Sequence, residues 1–451
     1  MVKTFLTNPN HIYKFMMVGI ICFIFLLPWQ SSSINASQTW GLPNRGVFGI
    51  RIGEHVLVFI SLFFMLLIIS LLESKIGNTK NLRLPMLSVF ILFLILGSIS
   101  SILAFDSEGS FFILTSRFSI PAMCIFYITY FCATKINKIN LIKFIVVFMS
   151  ICALYGIFEY IIGENPINNF YGTYFAGNPD PSFFVKTYLY QMGNKAYRIT
   201  STFGNSELAS SLFVATSILS IAIVNSKKGG HLFIGAFFIN SLAFMFTFTR
   251  GGILSYIISL SLFTFFVAKK SRFLKNVLAI TMIGIIIYML WDYIGDYVSI
   301  RFAGPGSESF ESIMHRVYAY EIFIKFIENS TFFGTGLGST NFYHYYDIYA
   351  RNIFSSATTF DNAYLSIISG LGIVTIIPII LFIKKLKIIL FDSFRNFSDN
   401  NYIMKVGLAS SLIGILVSFL FYDGFLYLAT TSIFFILLGI SFSYYDIRNR
   451  F

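Results

Sequence analysis

Charge is what this 451-residue chain has least of. Asp, Glu, Lys and Arg together make up 12% of it, while 56% is hydrophobic and Phe alone occurs 55 times. That excludes a soluble domain, which could not hide so much apolar surface, so lipid must solvate it. Apolar runs of roughly 20 residues also exclude a β-barrel, whose strands need only about 10. Cysteine is scarce too. Cys22, Cys124, Cys132 and Cys152 all lie in or beside apolar segments, as small buried hydrophobes do, rather than disulfides or metal ligands. No Asp-x-Asp pair occurs. Asp292 and Asp296 stand one helical turn apart at the end of an apolar run, which suits a solvated helix end better than an ion site. Nothing here calls for a metal or a cofactor, and no internal repeat or low-complexity segment is present.

What is there is a succession of apolar runs. Twelve spans are expected, at about 12–29, 55–72, 84–104, 111–134, 141–162, 206–225, 231–249, 251–268, 275–294, 362–383, 403–421 and 425–443. The fold class is therefore all-α, a polytopic membrane protein in which 1–451 form a single integral membrane domain. The first run has a long leader, and the Ser-rich stretch after Trp29 has no cleavage signature, so it reads as a span rather than a signal. With the N-terminus taken as cytoplasmic, 21 of the 32 Lys and Arg residues fall on the cytoplasmic side, among them Lys75, Lys80, Lys227, Lys228, Lys384 and Lys385. Short basic loops anchor to the cytoplasmic leaflet, so both termini are expected there. The long segments 163–205 and 295–361 are then external.

The outward arginines have no part in that asymmetry. The interval from Gly295 to Asn362 is the longest polar one in the chain, with Arg301, His315, Arg316, His344, Arg351, Asp361 and the run Gly334-Thr-Gly-Leu-Gly338. Helical apolar spacing over Phe310, Ile313, Met314, Val317, Ile324 and Ile327 predicts an amphipathic helix from about Ser307 to Glu328 that can lie on the membrane surface. The glycine triplet lacks the strand–helix setting of a nucleotide loop and reads as a tight turn. The segment 163–205 reads as irregular. Asn205 before the next span is a natural N-cap, and Glu207 suits the positive end of that helix.

Arg198, Arg250 and Arg316 all fall on the external side near span ends. Guanidinium stays charged and clasps phosphate oxygens with paired hydrogen bonds, so three converging would suit a pyrophosphate. Interfacial anchoring is the competing account. At Arg250 the following Gly251-Gly252 lets backbone and guanidinium approach a ligand closely. Asp361 is a candidate base for an attacking hydroxyl; it would equally serve as a helix N-cap. His315 and His344 are alternative bases or sugar-binding residues, or plain surface.

In their order, Arg198…Phe203-Gly-Asn-Ser-Glu-Leu-Ala, Thr249-Arg250-Gly-Gly-Ile-Leu, Gly-x-Gly-x-Gly and Asp361-Asn-x-Tyr-Leu resemble the O-antigen ligase and polymerase family over about 195–385. The resemblance implies a GT-C-like helical fold of about 12 transmembrane helices in the inner membrane. It also implies a metal-independent glycosyltransferase, with its active site in the 295–361 loop. The substrates would be polyprenyl-pyrophosphate-linked oligosaccharides, the surroundings membrane lipid, and the associated machinery a chain-length regulator and a flippase, with no nucleic acid involved. Arg250 and Arg316 match the pyrophosphate-binding arginines. Asp361 matches the place where ligases carry the histidine of a His-Asn-x9-Gly motif; here Asp361-Asn362, nine residues and Gly372 keep the frame without the histidine. Tyr320 likewise replaces the leucine of the ligase Arg-x-x-x-Leu. Both departures suit a repeat-unit polymerase for O-antigen, capsule or exopolysaccharide over a ligase acting on lipid A core. A flippase is disfavoured, since only Arg117 and Glu159 are charged residues set more than two positions inside a span end.

Overall fold

The computed structural model describes residues 19–21, 84–135, 137–166, 188–191, 194–267, 308–353, 360–395 and 399–444. The helices are α1 (Leu87–Leu103), α2 (Ser107–Ile113), α3 (Ser119–Lys135), α4 (Lys138–Ile162), α5 (Ser206–Asn225), α6 (Leu232–Phe246) and α7 (Arg250–Val267). They continue as α8 (Glu308–Asn329), α9 (Ser339–Tyr349), α10 (Ala363–Leu371), α11 (Ile376–Arg395), α12 (Tyr402–Ser418) and α13 (Leu428–Ser443). A π-helical turn, Leu114–Phe118, joins α2 to α3.

Helix α5 is the hub. Every residue from Leu208 to Ile223 is buried, and α4, α6, α7, α12 and α13 all pack on it. Its composition explains this. Ser211, Thr216, Ser217 and Ser220 return their hydroxyls to carbonyls three or four residues back, which satisfies them without bulk. Small residues let helices approach closely where lipid gives no hydrophobic drive to associate. A polar chain links three helices of the bundle: Thr216 donates to Asn240 of α6 at 3.0 Å, and Asn240 donates to Ser150 of α4 at 2.7 Å.

Among the described residues, α4, α5 and α7 are long and apolar enough to cross a membrane, and α1, α3, α6, α12 and α13 are shorter apolar helices. The expected spans 55–72 and 275–294 lie outside the described residues, and 12–29 is described only at 19–21. The expected span 362–383 is not one rod. It breaks into α10 and the segment starting at Ile373, at an angle of 119°. Gly372 sits at the corner with φ +84° and ψ 167°, a region open essentially to glycine alone.

The expected polar loop is also ordered by packing. Helix α8 covers almost the predicted range, but its Ala319, Ile322 and Phe326 face α9 and Phe360 inside the protein, while Val317 and Ile324 are exposed. The glycine run then crosses the α10–α11 corner. Thr335 and Gly336 donate their N–H groups to the carbonyls of Ser369 and Gly370, at 3.0 and 2.9 Å. Within 163–205, expected to be irregular, Tyr188–Gln191 (β1) and Asn194–Tyr197 (β2) form an antiparallel hairpin. It is the one sheet among the described residues and the exception to the all-α expectation.

Connections expected on the same side meet one another. At one end of the bundle Lys228 donates to Asn401, Lys138 donates to the Ser443 carbonyl, and Lys405 pairs with Asp399 at 2.5 Å. At the other end the turns before α5, α7, α10 and α13 converge.

Candidate functional site

The site is assembled around the N-terminus of α5. The approach to α5 is pinned from below by Glu159, buried in the last turns of α4. Its carboxylate accepts the N–H of Thr200 at 2.9 Å, the Thr200 hydroxyl at 3.1 Å and the Ser201 N–H at 2.6 Å. Ser201 sits at φ +53°, and its hydroxyl donates to the Cys152 carbonyl at 2.6 Å. A buried charge needs such donors. They hold Glu159 and fix the backbone that delivers Arg198. Asn205 caps α5 as expected, accepting from Glu207 and Leu208 at 2.8 and 3.1 Å.

Arg198 reaches the α6–α7 turn that precedes Arg250. Arg198 donates its Nε to the Thr247 carbonyl at 3.0 Å, and Ile199 N–H bonds Phe246 O at 3.2 Å. Arg250 opens α7 three residues on. Both are half-buried. Thr249 holds the turn by donating to Ser210 of α5 at 2.7 Å. Gly251 and Gly252 do not leave room for a ligand, as the sequence suggested. A Cβ on Gly251 would come within 2.6 Å of the Phe421 Cβ, and one on Gly252 would collide with the Ser210 hydroxyl. They permit helix packing, and packing is what brings Arg250 beside the 419–427 turn.

Asp361 lies at the entry to α10, half-buried, with φ +47°. It is not the cap. Asn362 takes that role, accepting from Tyr364 and Leu365 at 3.0 and 3.2 Å, so the capping account of Asp361 falls away. The preceding Phe360 is packed by Phe326 of α8 and Phe342 of α9, while Ala363 N–H bonds Phe419 O at 2.9 Å. Asp361 is thus clamped between α8 and α9 on one side and the 419–427 turn on the other, in a conformation Asp tolerates better than most residues.

That turn carries residues the sequence reading did not single out. Asp423 is buried, accepts from the Ser366 hydroxyl, and takes the Asn362 N–H. Tyr422 shares a 2.8 Å hydrogen bond with Ser211 of α5. Burial pushes the Asp423 carboxyl up to about 7, and the charge of Asp361 adds to the rise against the Ser366 hydrogen bond. Asp361 and Asp423 therefore lie close to each other at the end of the bundle where α7 packs on Phe421. The available signal was weak: a lone Asp among aromatics where two apolar runs meet.

The remaining candidates lie on α8 and α9. His315 and Arg316 are on α8, one turn or so ahead of the face that packs on Phe360; their side chains are outside the described residues, as is Arg301. The structure therefore brings Arg198, Arg250 and Asp361 to one end of the bundle and puts the Arg316 backbone on the helix that covers it. His344 on α9 stacks flat on Phe105, with ring centroids 3.8 Å apart and planes within 6°, a packing role under the α1–α2 turn.

Residues 235–380 match the family model described as O-Antigen ligase. No curated protein matches the chain. The matched segment runs from α6 into α11 and contains Arg250, Arg316, Asp361 and the Gly372 corner, whereas Arg198 and Asp423 lie outside it. Over residues 235–380 the chain is similar to the O-antigen ligase family.

Proposed function

We propose that this protein is a repeat-unit polymerase, joining polyprenyl-pyrophosphate-linked oligosaccharides into O-antigen, capsule or exopolysaccharide on the outer side of the inner membrane. One observation supports the reading: Arg198, remote in sequence, bonds the Thr247 carbonyl in the turn that opens into Arg250, at the same end of the bundle as Asp361. In the reaction, a hydroxyl of the lipid-linked acceptor attacks the anomeric carbon of the donor glycan. The bond from that carbon to the pyrophosphate oxygen breaks, and polyprenyl pyrophosphate leaves with the electron pair. The hydroxyl proton passes to Asp361. Arg250 and Arg198, with Arg316 from α8, offset the charge that grows on the leaving group, as a preorganised cationic site does.

The carboxylate at position 361 favours a polymerase over a ligase, since the ligase motif has histidine there. Transport through the bundle finds no support. Glu159, buried in α4, holds the Thr200–Ser201 turn. The test is complementation of a polymerase-deficient cell with wild type and with Arg250→Ala and Asp361→Asn at equal expression. Wild type is expected to restore a long polysaccharide ladder, and each variant to leave single repeat units attached. Polymer that is built but unattached in the deficient cell would point to a ligase instead. A full ladder from Arg250→Ala would remove that arginine from the chemistry.

A further inference from the structure

Three lysines from three separate connections gather at the end of the bundle opposite Asp361. Lys138 opens α4, Lys228 lies in the α5–α6 turn, and Lys405 is in the first turns of α12. Asp399 and Asn401, just ahead of α12, tie two of them together. Lys405 pairs with the Asp399 carboxylate at 2.5 Å, the Asn401 N–H donates to the same carboxylate at 2.7 Å, and Lys228 donates to the Asn401 side-chain oxygen at 2.5 Å. Lys138 donates to the Ser443 carbonyl at the end of α13 and lies over the Tyr444 ring, 4.4 Å from its centroid, a contact that holds the ammonium in place. The charges of Lys405 and Asp399 both reach Lys138.

The cluster is not balanced from within. Three ammonium groups stand against one carboxylate, and Lys405 is nine-tenths buried, where like charges are poorly screened. What it has to spare is donors. Among the described residues Lys138 and Lys228 each give one of three N–H groups to a hydrogen bond, and the Asn401 side-chain amide gives neither of its two. Basic residues at this end need only reach water or headgroups one by one, as the exposed Lys384 and Lys387 of α11 do. That duty does not call for lysines joined through a shared carboxylate and asparagine.

We propose that Lys138, Lys228 and Asn401, backed by the Lys405–Asp399 pair, form a binding site for the phosphate of an anionic phospholipid, in the leaflet opposite the candidate functional site. The anion offsets the excess positive charge and accepts from the spare donors. Helices α4 and α5 are long and apolar enough to cross a membrane, so their ends put these lysines at headgroup level. Ammonium groups bind phosphate as point charges and need no paired geometry. With the orientation expected from the basic connections, this is the cytoplasmic leaflet, where anionic lipids concentrate. The proposal is independent of the polymerase reading.

The test uses the full-length protein, purified in detergent and delipidated, with bound lipid followed by native mass spectrometry. It is titrated with phosphatidylglycerol, with phosphatidylcholine, whose phosphate is neutralised by its own headgroup, and with inorganic phosphate. Phosphatidylglycerol should bind about tenfold or more tightly than either of the others. Lys138→Gln and Lys228→Gln should each weaken it about tenfold, the worth of one charge-assisted hydrogen bond. Lys228→Arg, which keeps the charge, should retain it. The double variant Lys384→Gln, Lys387→Gln loses as much charge as Lys138→Gln with Lys228→Gln, yet should bind like wild type. Phosphatidylglycerol should also raise the unfolding temperature of wild type more than that of either single variant, each measured against its own lipid-free value, so that a weakened fold is not mistaken for a lost site. Equal weakening by the two double variants would overturn the proposal, since it would mean diffuse attraction to a basic face. Phosphatidylcholine or inorganic phosphate binding as tightly as phosphatidylglycerol would overturn it too.

Discussion

Replacing Gly372 with alanine tests the corner on which the site is hung. The backbone at φ +84° and ψ 167° lies where side chains cost about 1–3 kcal/mol. The new Cβ would also overlap backbone, at the Phe332 carbonyl oxygen, the Phe333 carbonyl carbon and, at 2.5 Å, the Gly334 nitrogen. Backbone cannot rotate away as a side-chain tip can, so the 332–336 strand must lift. Lifting it endangers the bonds from Thr335 to Ser369 and Gly336 to Gly370, each worth about 1 kcal/mol. The expected loss is therefore on the order of 3–5 kcal/mol. Function should suffer as well, because α10 runs straight from this corner to Asn362 and Asp361, and a displacement of about 1 Å at reacting groups costs roughly a hundredfold. Gly235 supplies the control: it lies inside α6 with nothing within 4 Å of a built Cβ, and alanine there should stabilise by about 0.5–1 kcal/mol. Thermal unfolding of the detergent-solubilised protein and the polysaccharide ladder give the two readouts. An unfolding temperature for Gly372→Ala at or above that of Gly235→Ala, with a full ladder, would refute the packing argument.

Other outcomes follow from the same structure. Asn362→Ala should cost about 1 kcal/mol through the lost cap and lower polymer yield, whereas Asn362→Asp should keep both, as read by unfolding temperature and ladder. Lys405→Met leaves Asp399 without its 2.5 Å partner; because Asp399 is partly exposed, the expected loss is about 1–3 kcal/mol, and Asp399→Asn in the same background should recover part of it. The raised Asp423 carboxyl makes a signed prediction. A proton held more tightly in the folded state contributes stability that is complete below the ordinary carboxylate range and is lost as pH rises to about 7. The unfolding temperature of wild type should thus decline relative to Asp423→Asn between about pH 4 and 7, and a constant gap across that range would contradict it.

How far the sequence revealed this arrangement depended on what each signal averages over. Helix α8 was legible to within a residue or so at each end because its apolar spacing persists for several turns. The α10–α11 break was not, since Gly372 lies in an unbroken apolar run and hydropathy carries no angle. Asp361 and Asn362 are equally good caps on paper; only the backbone decides that Asn362 does the capping, which leaves Asp361 unexplained by local structure. The glycines after Arg250 were read toward a ligand because their packing partners, Phe421 and Ser210, are remote in sequence. Asp423 was missed for the same reason: its partner Ser366 is 57 residues away.

The shortness of α10 bears on how the protein is made. Its nine residues extend about 13 Å at 1.5 Å per residue, less than half of a hydrocarbon layer near 30 Å. Such a piece cannot be threaded across a bilayer by itself. It must wait for α1, the glycine run and the final pair of helices to offer it a berth, so the candidate site is among the last parts of the molecule to be completed during biogenesis, and a chain truncated before α12 is expected to be inserted yet inactive.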